Sequence, residues 1–410
     1  MTATRHHRPE LLTRLATQGY RALQHLWDGV DGHGQTARLG GRRVLVVRGA
    51  DGAELFYDTA LVRRRGAAPA VIANPLFGRG AVHGLDDAAH DHRKRVFMDC
   101  LTPAETHRLA DTVDAAWAAR VRGWSAGQEV DVFDEAVLAL GRAVCQWSGV
   151  QPPADADGFC RDLAVMVDEF GSASVAAGVR RRRARRRAEA HVAGRVRDAR
   201  LEPMPAEPRP LHRVASATNL DGSPLDDRTA AVELLNLLRP TVAVAWFVAF
   251  AAAAIVEHPD TRPRLCSATG RPEYREAFAH ELRRTRPFVP VLAAKARSDL
   301  TWGGHRLPRG HRLVLDVWGT NHLPERWPDP GTFDPDRFLE HPPTAFDFVP
   351  QGGGEPAHGH RCPGEPATVD ILTRVVRQLA DLPYEMGSGQ RAYRLDRVPT
   401  RPGARLTPSP

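Results

Sequence analysis

The sequence predicts a mainly α protein with a small β part (α+β), and three observations carry that prediction. Helical periodicity occupies residues 86–200. A second, strongly apolar helical pattern runs from Asp226 to Glu257. Alternation typical of strands is confined to short segments, at 43–57 and 300–317.

The remaining elements follow from breaker and turn residues. Residues 9–30 have a helical pattern, and the Asp-Gly pair at 51–52 predicts a turn between two strands within 43–57. Gly303-Gly304 and Pro308-Arg309-Gly310 mark turns between the later strands. Loops are predicted where prolines, glycines and aspartates cluster: near 124–130 and 151–156, at 202–212 and over 322–346.

Length and composition predict one domain. The chain has 410 residues, of which 42% are hydrophobic, enough to bury a large core. No internal repeat divides it. We therefore expect residues 1–410 to form a single domain with short flexible ends.

The cysteines and the N-terminal residues predict a soluble, cytoplasmic protein. The five cysteines are scattered and odd in number, which argues against a disulfide framework or a zinc site. The first residues contain no apolar signal core, and the longest apolar run, from Thr241 to Val256, is shorter than the roughly 20 residues that cross a bilayer. We expect no membrane span.

The positive charge raises the hypothesis of a nucleic-acid partner. The formal net charge is +7, and Arg180 to Arg187 contains seven arginines in eight positions. The run continues into a helical pattern and has no interleaved aromatic residues for base stacking. We interpret it as a solvated helix face and expect no nucleic-acid partner.

A cysteine in a glycine-rich loop is the first candidate for chemistry. Phe348-Val-Pro-Gln-Gly-Gly-Gly354 precedes Gly359-His-Arg-Cys362-Pro-Gly-Glu365. Pro363 suits the first turn of a helix, whose N-terminal dipole and free amides would lower the pKa of the thiol. A thiolate below a haem iron favours O–O cleavage. From the loop alone, a buried structural cysteine is an equal alternative.

Two further motifs make the cysteine loop specific. Glu281-Leu-Arg-Arg284 places a carboxylate and a guanidinium on the same side of a helix, and Phe333-Asp-Pro-Asp-Arg337-Phe338 follows. With the cysteine loop, these motifs resemble the haem-thiolate superfamily, the cytochromes P-450. The resemblance implies that superfamily's fold, with haem b between the long central helix and the cysteine loop and Cys362 as the axial ligand of the iron. It also implies a buried charge network of Glu281, Arg284 and Arg337.

The long helix departs from the superfamily's usual pattern. In place of an acid beside a threonine, the chain has Arg239 followed by Pro240. A lone guanidinium in an apolar helix is costly unless it is paired. Two partners remain open from this segment: a protein Asp or Glu, or the carboxylate of a substrate.

The Arg239-Pro240 pair resembles one branch, the bacterial fatty-acid peroxygenases and fatty-acid decarboxylases. The similarity extends from about residue 9 to 385, through the motifs Leu76–Asp86, His90–Lys94, Asp316–His322, Gln351–Gly354 and His360–Glu365. It implies that hydrogen peroxide replaces oxygen, NADPH and a reductase, with no obligatory redox partner. It also implies that Arg239 clamps the fatty-acid carboxylate, which serves as general acid and base.

The resemblance extends to the choice of product, which is a 2- or 3-hydroxy acid, or a terminal alkene with carbon dioxide. His83 occupies the place where decarboxylating members carry histidine and hydroxylating members carry glutamine, and Phe77 is expected to pack against it. An imidazole can supply a proton or steer electron transfer. The alternative for His83 is a packed or propionate-bound histidine without a catalytic role.

Cations and apolar residues complete the predicted site. The resemblance places Arg64, His90, Lys94 and Arg361 around the haem propionates, and we interpret His92 and Arg93 as solvent-facing neighbours. The alkyl chain is expected to bind among apolar residues at 165–180 and 285–295, with Val165, Met166, Phe170, Phe288, Val289 and Val291 as candidates.

Two other functions remain open. A cytochrome P-450 monooxygenase fed by a redox partner would depend on NADPH and a reductase. A haem-containing sensor or carrier would bind a fatty acid without turnover.

Overall fold

A computed structural model describes residues 10–410 except 169, 172–173 and 287. The described part is mainly helical, as predicted. Its helices are α1 Leu11–Gln18, α2 Arg21–Gln24, α3 Gly49–Tyr57, α4 Ala70–Phe77, α5 Asp87–Cys100, α6 Pro103–Val121, α7 Val132–Ser148, α8 Ala156–Val165, α9 Val175–Leu201, α10 Pro210–Ala215, α11 Asp227–Glu257, α12 Arg262–Leu265, α13 Pro272–Thr285, α14 Val317–Asn321, α15 Arg337–Glu340, α16 Glu365–Asp381 and α17 Ser388–Arg391.

The strands are short and form small sheets. A five-stranded sheet has the order β1-β2-β8-β5-β3, in which only the β2–β8 pair is parallel. A three-stranded sheet has the order β4-β10-β9, and β6 pairs with β7. The strands are β1 Gly34–Leu39, β2 Arg42–Val47, β3 Val62–Arg63, β4 Val130–Asp131, β5 Val291–Ala296, β6 Leu300–Trp302, β7 His305–Leu307, β8 Arg312–Asp316, β9 Tyr384–Glu385 and β10 Arg405–Pro408.

The five-stranded sheet is covered on both faces. Successive residues of β2 point to opposite sides, so Leu45 and Val47 join one apolar cluster while Val44 and Val46 join another. Burial on both sides explains why β2 is continuously apolar rather than alternating.

The prediction of two strands within 43–57 is wrong for the second one. β2 instead pairs with β1 across Gly40-Gly41, and residues from Gly49 onward form α3. Gly49 has φ +78°, which turns the chain away from the strand direction at the first residue of α3. The Asp-Gly pair at 51–52 therefore lies inside the first turns of α3 and not in a hairpin.

The central helix α11 lies in the core, where it packs against α7, α9 and α16. It confirms the long apolar helix predicted from Asp226 to Glu257, and Asp226 caps it by accepting a hydrogen bond from the Thr229 N–H. By length and composition α11 could cross a membrane, but 78% of its most apolar window is buried inside the protein. Its burial is that of a core helix.

Two boundaries differ from the prediction because local caps override periodicity. The helical stretch also breaks at 101–102, where the Thr102 side chain accepts from the Glu105 N–H and starts α6. Helix α16 begins at Glu365, three residues after Cys362, with Pro366 rather than Pro363 in its first turn.

The arginine run lies on α9, and its interpretation as a solvated face is wrong for two members. Arg181 and Arg185 are each 4% exposed. Arg185 pairs with Glu189 at 2.6 Å and donates to the Phe77 carbonyl at 3.1 Å. The run therefore ties α9 to the end of α4 as well as presenting arginines to solvent.

Candidate functional site

Cys362 lies in the loop that precedes α16. Its N–H donates to the Gln351 carbonyl at 3.1 Å, which closes the loop on itself. The Gln351 side-chain amide lies 3.7 Å from the Cys362 sulfur and donates to the Thr368 hydroxyl at 3.1 Å. Gln351 thus links the sulfur to the first turns of α16, a contact that sequence reasoning did not assign.

The glycines that surround this loop are required by close approach. Gly352 has φ +102°, and a Cβ there would lie 2.6 Å from the Tyr57 hydroxyl. A Cβ at Gly353 would lie 3.0 Å from the Ala345 carbonyl. These contacts explain the Gln-Gly-Gly-Gly sequence: the loop must pass against α3 and residue 345 to bring Cys362 to its place.

The expected lowering of the Cys362 pKa is wrong for the polypeptide alone. Burial raises the pKa of the thiol, and this effect outweighs the opposing effects of the Gly364 N–H, Gln351 and Lys94. The helix begins too late for its terminus to dominate. A bound metal ion deprotonates a coordinating thiol outright, so ligation and not the helix dipole accounts for a thiolate here.

Glu281, Arg284 and Arg337 come together, as the resemblance implies. Both Glu281 oxygens accept from Arg284 at 2.7 Å, and the Arg337 Nε lies 3.3 Å from Glu281 Oε1. The Glu281 and Arg284 side chains are fully buried. Arg284 also donates to the carbonyls of Asn321, Pro330 and Thr332, so α13 holds the irregular segment before α15 in place.

A second buried ion cluster joins α13 to the cysteine loop. Glu365 pairs with Arg283 and accepts from the Arg361 Nε at 2.8 Å. Burial raises the pKa of Glu365, but the two arginines outweigh it and hold the pKa below its usual value. Arg361 also donates to the Gly354 carbonyl, so two of its nitrogens are committed to protein groups.

Phe77 and His83 stack on each other beside Arg239 of α11. Their ring centroids are 4.1 Å apart with an interplanar angle of 21°. The Arg239 guanidinium lies 5.5 Å from the Phe77 ring. Burial, followed by the charges of Arg239, His90, Arg185 and Lys94, lowers the pKa of His83 to about 3. The imidazole is therefore neutral near pH 7.

Arg239 is a buried guanidinium that has no acidic partner among the residues that the structure describes. It is 6% exposed, and among the described residues no carboxylate lies within ion-pair distance of it. Its Nη2 donates to the Asn236 side chain at 3.3 Å, while its Nε has no hydrogen-bond partner. Burial and the nearby Arg185 lower its pKa to about 9. Pro240 follows it inside α11.

Cations surround the space between Cys362 and α5. Lys94 donates to the Arg361 carbonyl at 3.0 Å, and Arg64 packs 3.9 Å from the Phe56 ring. Neither cation forms an ion pair within the part of the chain that the structure describes, and the Arg64 Nη1 is buried without a partner. Lys94 is buried and Arg64 is partly buried. Two cations without acidic partners among the described residues fit the two carboxylates of a haem.

The burial of neighbouring residues shows which arginine of 63–65 faces inward and whether Arg93 faces solvent. Arg63 and Arg65 are exposed, so Arg64 is the member of its triplet that faces inward. The His90 ring packs against the His360 ring, with centroids 4.0 Å apart and an interplanar angle of 36°, a neighbour that the sequence did not suggest. The interpretation of Arg93 as solvent-facing is wrong: it is 6% exposed and pairs with Glu233 at 2.7 Å.

Three of the predicted alkyl-chain residues, Val165, Met166 and Phe288, belong to or pack against the apolar cluster that contains α11, whereas Val291 packs against a separate cluster. Phe288 contacts Trp246 and Phe247 of that helix, and Tyr20 donates to the Phe288 carbonyl at 2.5 Å. Met166 is fully buried. The remaining candidates, Val165, Phe170, Val289 and Val291, are partly buried.

A surface cleft of about 780 Å³ lies apart from these residues. It is bordered by Trp27, Arg48, His258, Trp318 and Phe333 among others. None of the predicted catalytic or haem-contacting residues lines it. The chemistry-bearing side chains gather instead between the cysteine loop and α11.

Sequence comparison matches part of the chain to a known family. The model of the family described as "Cytochrome P450" matches residues 267–368, which include α13 and the cysteine loop. "Putative cytochrome P450 139" from Mycobacterium tuberculosis is 25% identical over 402 residues, covering 90% of this chain and 89% of the relative.

Structural comparison extends the match to nearly the whole chain. Cytochrome P450SP alpha (CYP152B1) is 34% identical with a TM-score of 0.92, covering 97% of this chain and 98% of that one. A variant of cytochrome P450 OleT in complex with arachidonic acid is 32% identical with a TM-score of 0.92, covering 99% and 98%. The chain therefore belongs to the cytochrome P450 family, in its fatty-acid peroxygenase and decarboxylase branch, and is a haem-dependent oxidoreductase with cysteine thiolate ligation.

Proposed function

We propose that the protein uses hydrogen peroxide to oxidise fatty acids, giving terminal alkenes by decarboxylation, 2- and 3-hydroxy acids, or both. The observation that carries the proposal is Arg239, a buried guanidinium with no carboxylate partner among the described residues. A fatty-acid carboxylate would supply the missing charge and satisfy the unpaired Nε.

Each named residue has a role in this proposal. Cys362 would bind the haem iron, and Lys94, Arg64 and His90 would contact the haem propionates. Arg361 is a weaker candidate for that contact because Glu365 and Gly354 already engage it. When bound, the haem supplies O–O cleavage and transfer of one oxygen equivalent.

The substrate carboxylate replaces the proton-transfer group that α11 lacks. Glu233 is a carboxylate of α11 near Arg239, and Arg93 and the Val82 N–H already engage it. A carboxylate held by Arg239 would take a proton from hydrogen peroxide and return it to the departing oxygen. Pro240 has no backbone N–H, so one hydrogen bond of α11 is missing at this point, which favours a bend in the helix. A bend there would leave room beside Arg239 for a substrate carboxylate.

The proposed reactions balance without a reductant. In hydroxylation, one C–H bond at C2 or C3 becomes C–OH, and hydrogen peroxide leaves as one water. In decarboxylation, R–CH2–CH2–COOH and hydrogen peroxide give R–CH=CH2, carbon dioxide and two waters. Both reactions place C2 and C3 nearest the oxidising centre, which is where a carboxylate clamped by Arg239 would hold them.

His83 bears on the choice between these products. With a pKa of about 3 it is neutral at working pH, so its role is that of a neutral hydrogen-bonding group and not of a charged acid. Its stacking on Phe77 fixes the ring plane. We propose that His83 favours loss of carbon dioxide over transfer of a hydroxyl group to the carbon.

Ligands of the similar proteins support a carboxylic-acid substrate. Cytochrome P450SP alpha has been solved with (R)-ibuprofen, and the OleT variant with arachidonic acid, both carboxylic acids. We also propose a cytoplasmic location, because none of the five cysteines forms a disulfide.

Product analysis tests the function. Purified haem-loaded protein would be incubated with hydrogen peroxide and a panel of saturated fatty acids, without reductase or NADPH. We expect an alkene one carbon shorter than the substrate, or 2- and 3-hydroxy acids. Turnover only with NADPH and a reductase would instead establish a redox-partner monooxygenase, and binding without turnover under either condition would establish a sensor or carrier.

Arg239→Leu tests the clamp. Loss of the charged anchor should lower peroxide-driven kcat/KM by at least about 100-fold, because the reacting carbons are no longer positioned. Haem content should be unchanged. Arg228→Leu, an exposed arginine on the same helix, is the matched control and should leave turnover intact. Full activity of the Arg239 variant would refute the clamp.

A further inference from the structure

A continuous set of buried polar side chains runs along one face of α11 toward Arg239. Glu233, Asn236 and Arg239 occur at three-residue spacing, which places them next to one another on the helix. They are 0%, 5% and 6% exposed. In a helix that is otherwise almost wholly apolar, three such residues in contact require an explanation.

Their hydrogen bonds reach the Phe77–His83 pair. Glu233 Oε1 accepts from the Val82 N–H at 2.9 Å, one residue before His83. The Asn236 Nδ2 donates to the Phe77 carbonyl at 3.0 Å. The network thus holds the backbone on both sides of the segment that presents the stacked rings.

Asn236 joins Glu233 to Arg239. Its Nδ2 lies 3.3 Å from Glu233 Oε2, and its Oδ1 accepts from the Arg239 Nη2 at 3.3 Å. The carboxylate and the Phe77 carbonyl can only accept, and the guanidinium can only donate. The amide nitrogen of Asn236 must therefore face Glu233 and the Phe77 carbonyl, and its amide oxygen must face Arg239. This fixes the orientation of the side-chain amide.

The charges of this network do not cancel. Arg93 pairs with Glu233 at 2.7 Å, which leaves Arg239 as the uncompensated charge. An amide at position 236 orients the Arg239 guanidinium without neutralising it. An aspartate at the same position would have nearly the same shape, and it would supply an internal ion pair in competition with any carboxylate ligand.

We propose that Asn236 is a positioning residue that holds Arg239 in place and keeps its charge available, and that it thereby sets the preference for carboxylate substrates. Glu233 supports it by fixing the amide. The inference rests on the proposed function, since it assigns a cause to the carboxylate clamp.

The test compares an acid with an uncharged ligand of the same length. Haem-loaded wild type, Asn236→Asp and Asn236→Ala would be titrated with dodecanoic acid and with dodecan-1-ol by calorimetry. We expect Asn236→Asp to weaken acid binding by about tenfold or more and alcohol binding by less than about threefold, because only the acid competes with the new carboxylate. Asn236→Ala, which loses the hydrogen bonds to Phe77, Glu233 and Arg239, should weaken acid binding by about three- to tenfold.

Asn219→Ala is the matched control. Asn219 accepts from Arg93 Nη2 at 3.2 Å, at the far end of the same network. It should change neither affinity, even where it lowers thermal stability. A general structural role for the network would weaken acid and alcohol binding alike, and only a role in positioning the charge changes their ratio.

The outcomes separate this inference from the proposed function. A wild-type preference for the acid that survives in Asn236→Asp and Asn236→Ala would overturn the inference and leave the clamp standing. A wild type that binds acid and alcohol equally would overturn the clamp, and the inference with it. Should Asn236→Asp fail to retain haem, the ratio in Asn236→Ala decides the matter.

Discussion

At the scale of single residues, Arg239 differs from the other buried arginines in its partner. Arg93, Arg283 and Arg284 each pair with a glutamate. Arg239 contacts an asparagine and keeps its charge. That difference separates cations that stabilise the fold from one that is free to bind a ligand, and it leads to the proposed substrate class.

His83→Gln should shift the product from alkene toward hydroxy acid. Glutamine cannot reproduce the stacked contact with Phe77, and its flexible amide would not hold one orientation. We expect the alkene-to-hydroxy-acid ratio to fall severalfold, measured by chromatography of products at equal turnover. Haem content serves as the control for folding. An unchanged ratio would remove His83 from the catalytic residues.

The sequence reveals residues with a local motif and misses those whose role depends on burial. Cys362 and the Glu281-x-x-Arg284 pair stand out because their motifs occur together in one chain. Arg93 and Glu233 do not, because a charged residue on a helix appears solvent-facing until its neighbours are known. Asn236 has no charge to draw attention, and nothing in its sequence context shows that it contacts Arg239.

At the scale of elements, long apolar patterns are predicted well and short segments poorly. Helix α11 agrees with its prediction within one residue at its start. The segment after β2 was predicted as a strand and is α3, because the apolar residues of this short segment fit both periods. Pairing partners decide such cases, and β2 finds its partners in β1 and β8.

Asp316, at the turn from β8 into α14, should make the unfolding free energy depend on pH. Burial raises the pKa of Asp316, which caps α14 and accepts from Trp27, to about 6. Between the unfolded pKa near 3.9 and the folded value, the folded protein binds more protons than the unfolded one. The contribution of Asp316 to the unfolding free energy therefore rises by about 2–3 kcal/mol as the pH falls from about 6 to about 4.

Comparison of wild type with Asp316→Asn isolates this effect from that of other carboxylates. Denaturant unfolding between pH 4.5 and 8 should give a difference in unfolding free energy that changes with pH around 6. A difference that is constant across this range would mean that Asp316 keeps its ordinary pKa.

At the scale of the whole molecule, the buried Glu281 network should contribute strongly to stability. Glu281→Gln leaves Arg284 and Arg337 without their carboxylate in a site that excludes water. We expect a loss of about 3–5 kcal/mol of unfolding free energy, with weaker haem retention. Glu273→Gln, at an exposed position on the same helix, should change stability by less than about 0.5 kcal/mol. Equal effects would contradict a special role for the network.

The overall fold class was predictable, and the reason is redundancy. Helical periodicity, one long apolar helix and few strands all indicate a mainly α protein, so errors in α3 and at the start of α16 leave the architecture unchanged. Periodicity does not predict which segments, far apart in the sequence, contact one another in the fold. Contacts such as Arg185 with Phe77 join residues more than one hundred positions apart.

The isolated charge of Arg239 also has a thermodynamic consequence. A desolvated guanidinium without a carboxylate raises the free energy of the ligand-free folded state. A fatty acid that binds only the folded protein should raise the unfolding temperature, and it should do so more than the alcohol of equal length. Arg239→Leu should melt at a higher temperature than the empty wild type and show no such preference, as expected for a trade-off between stability and function.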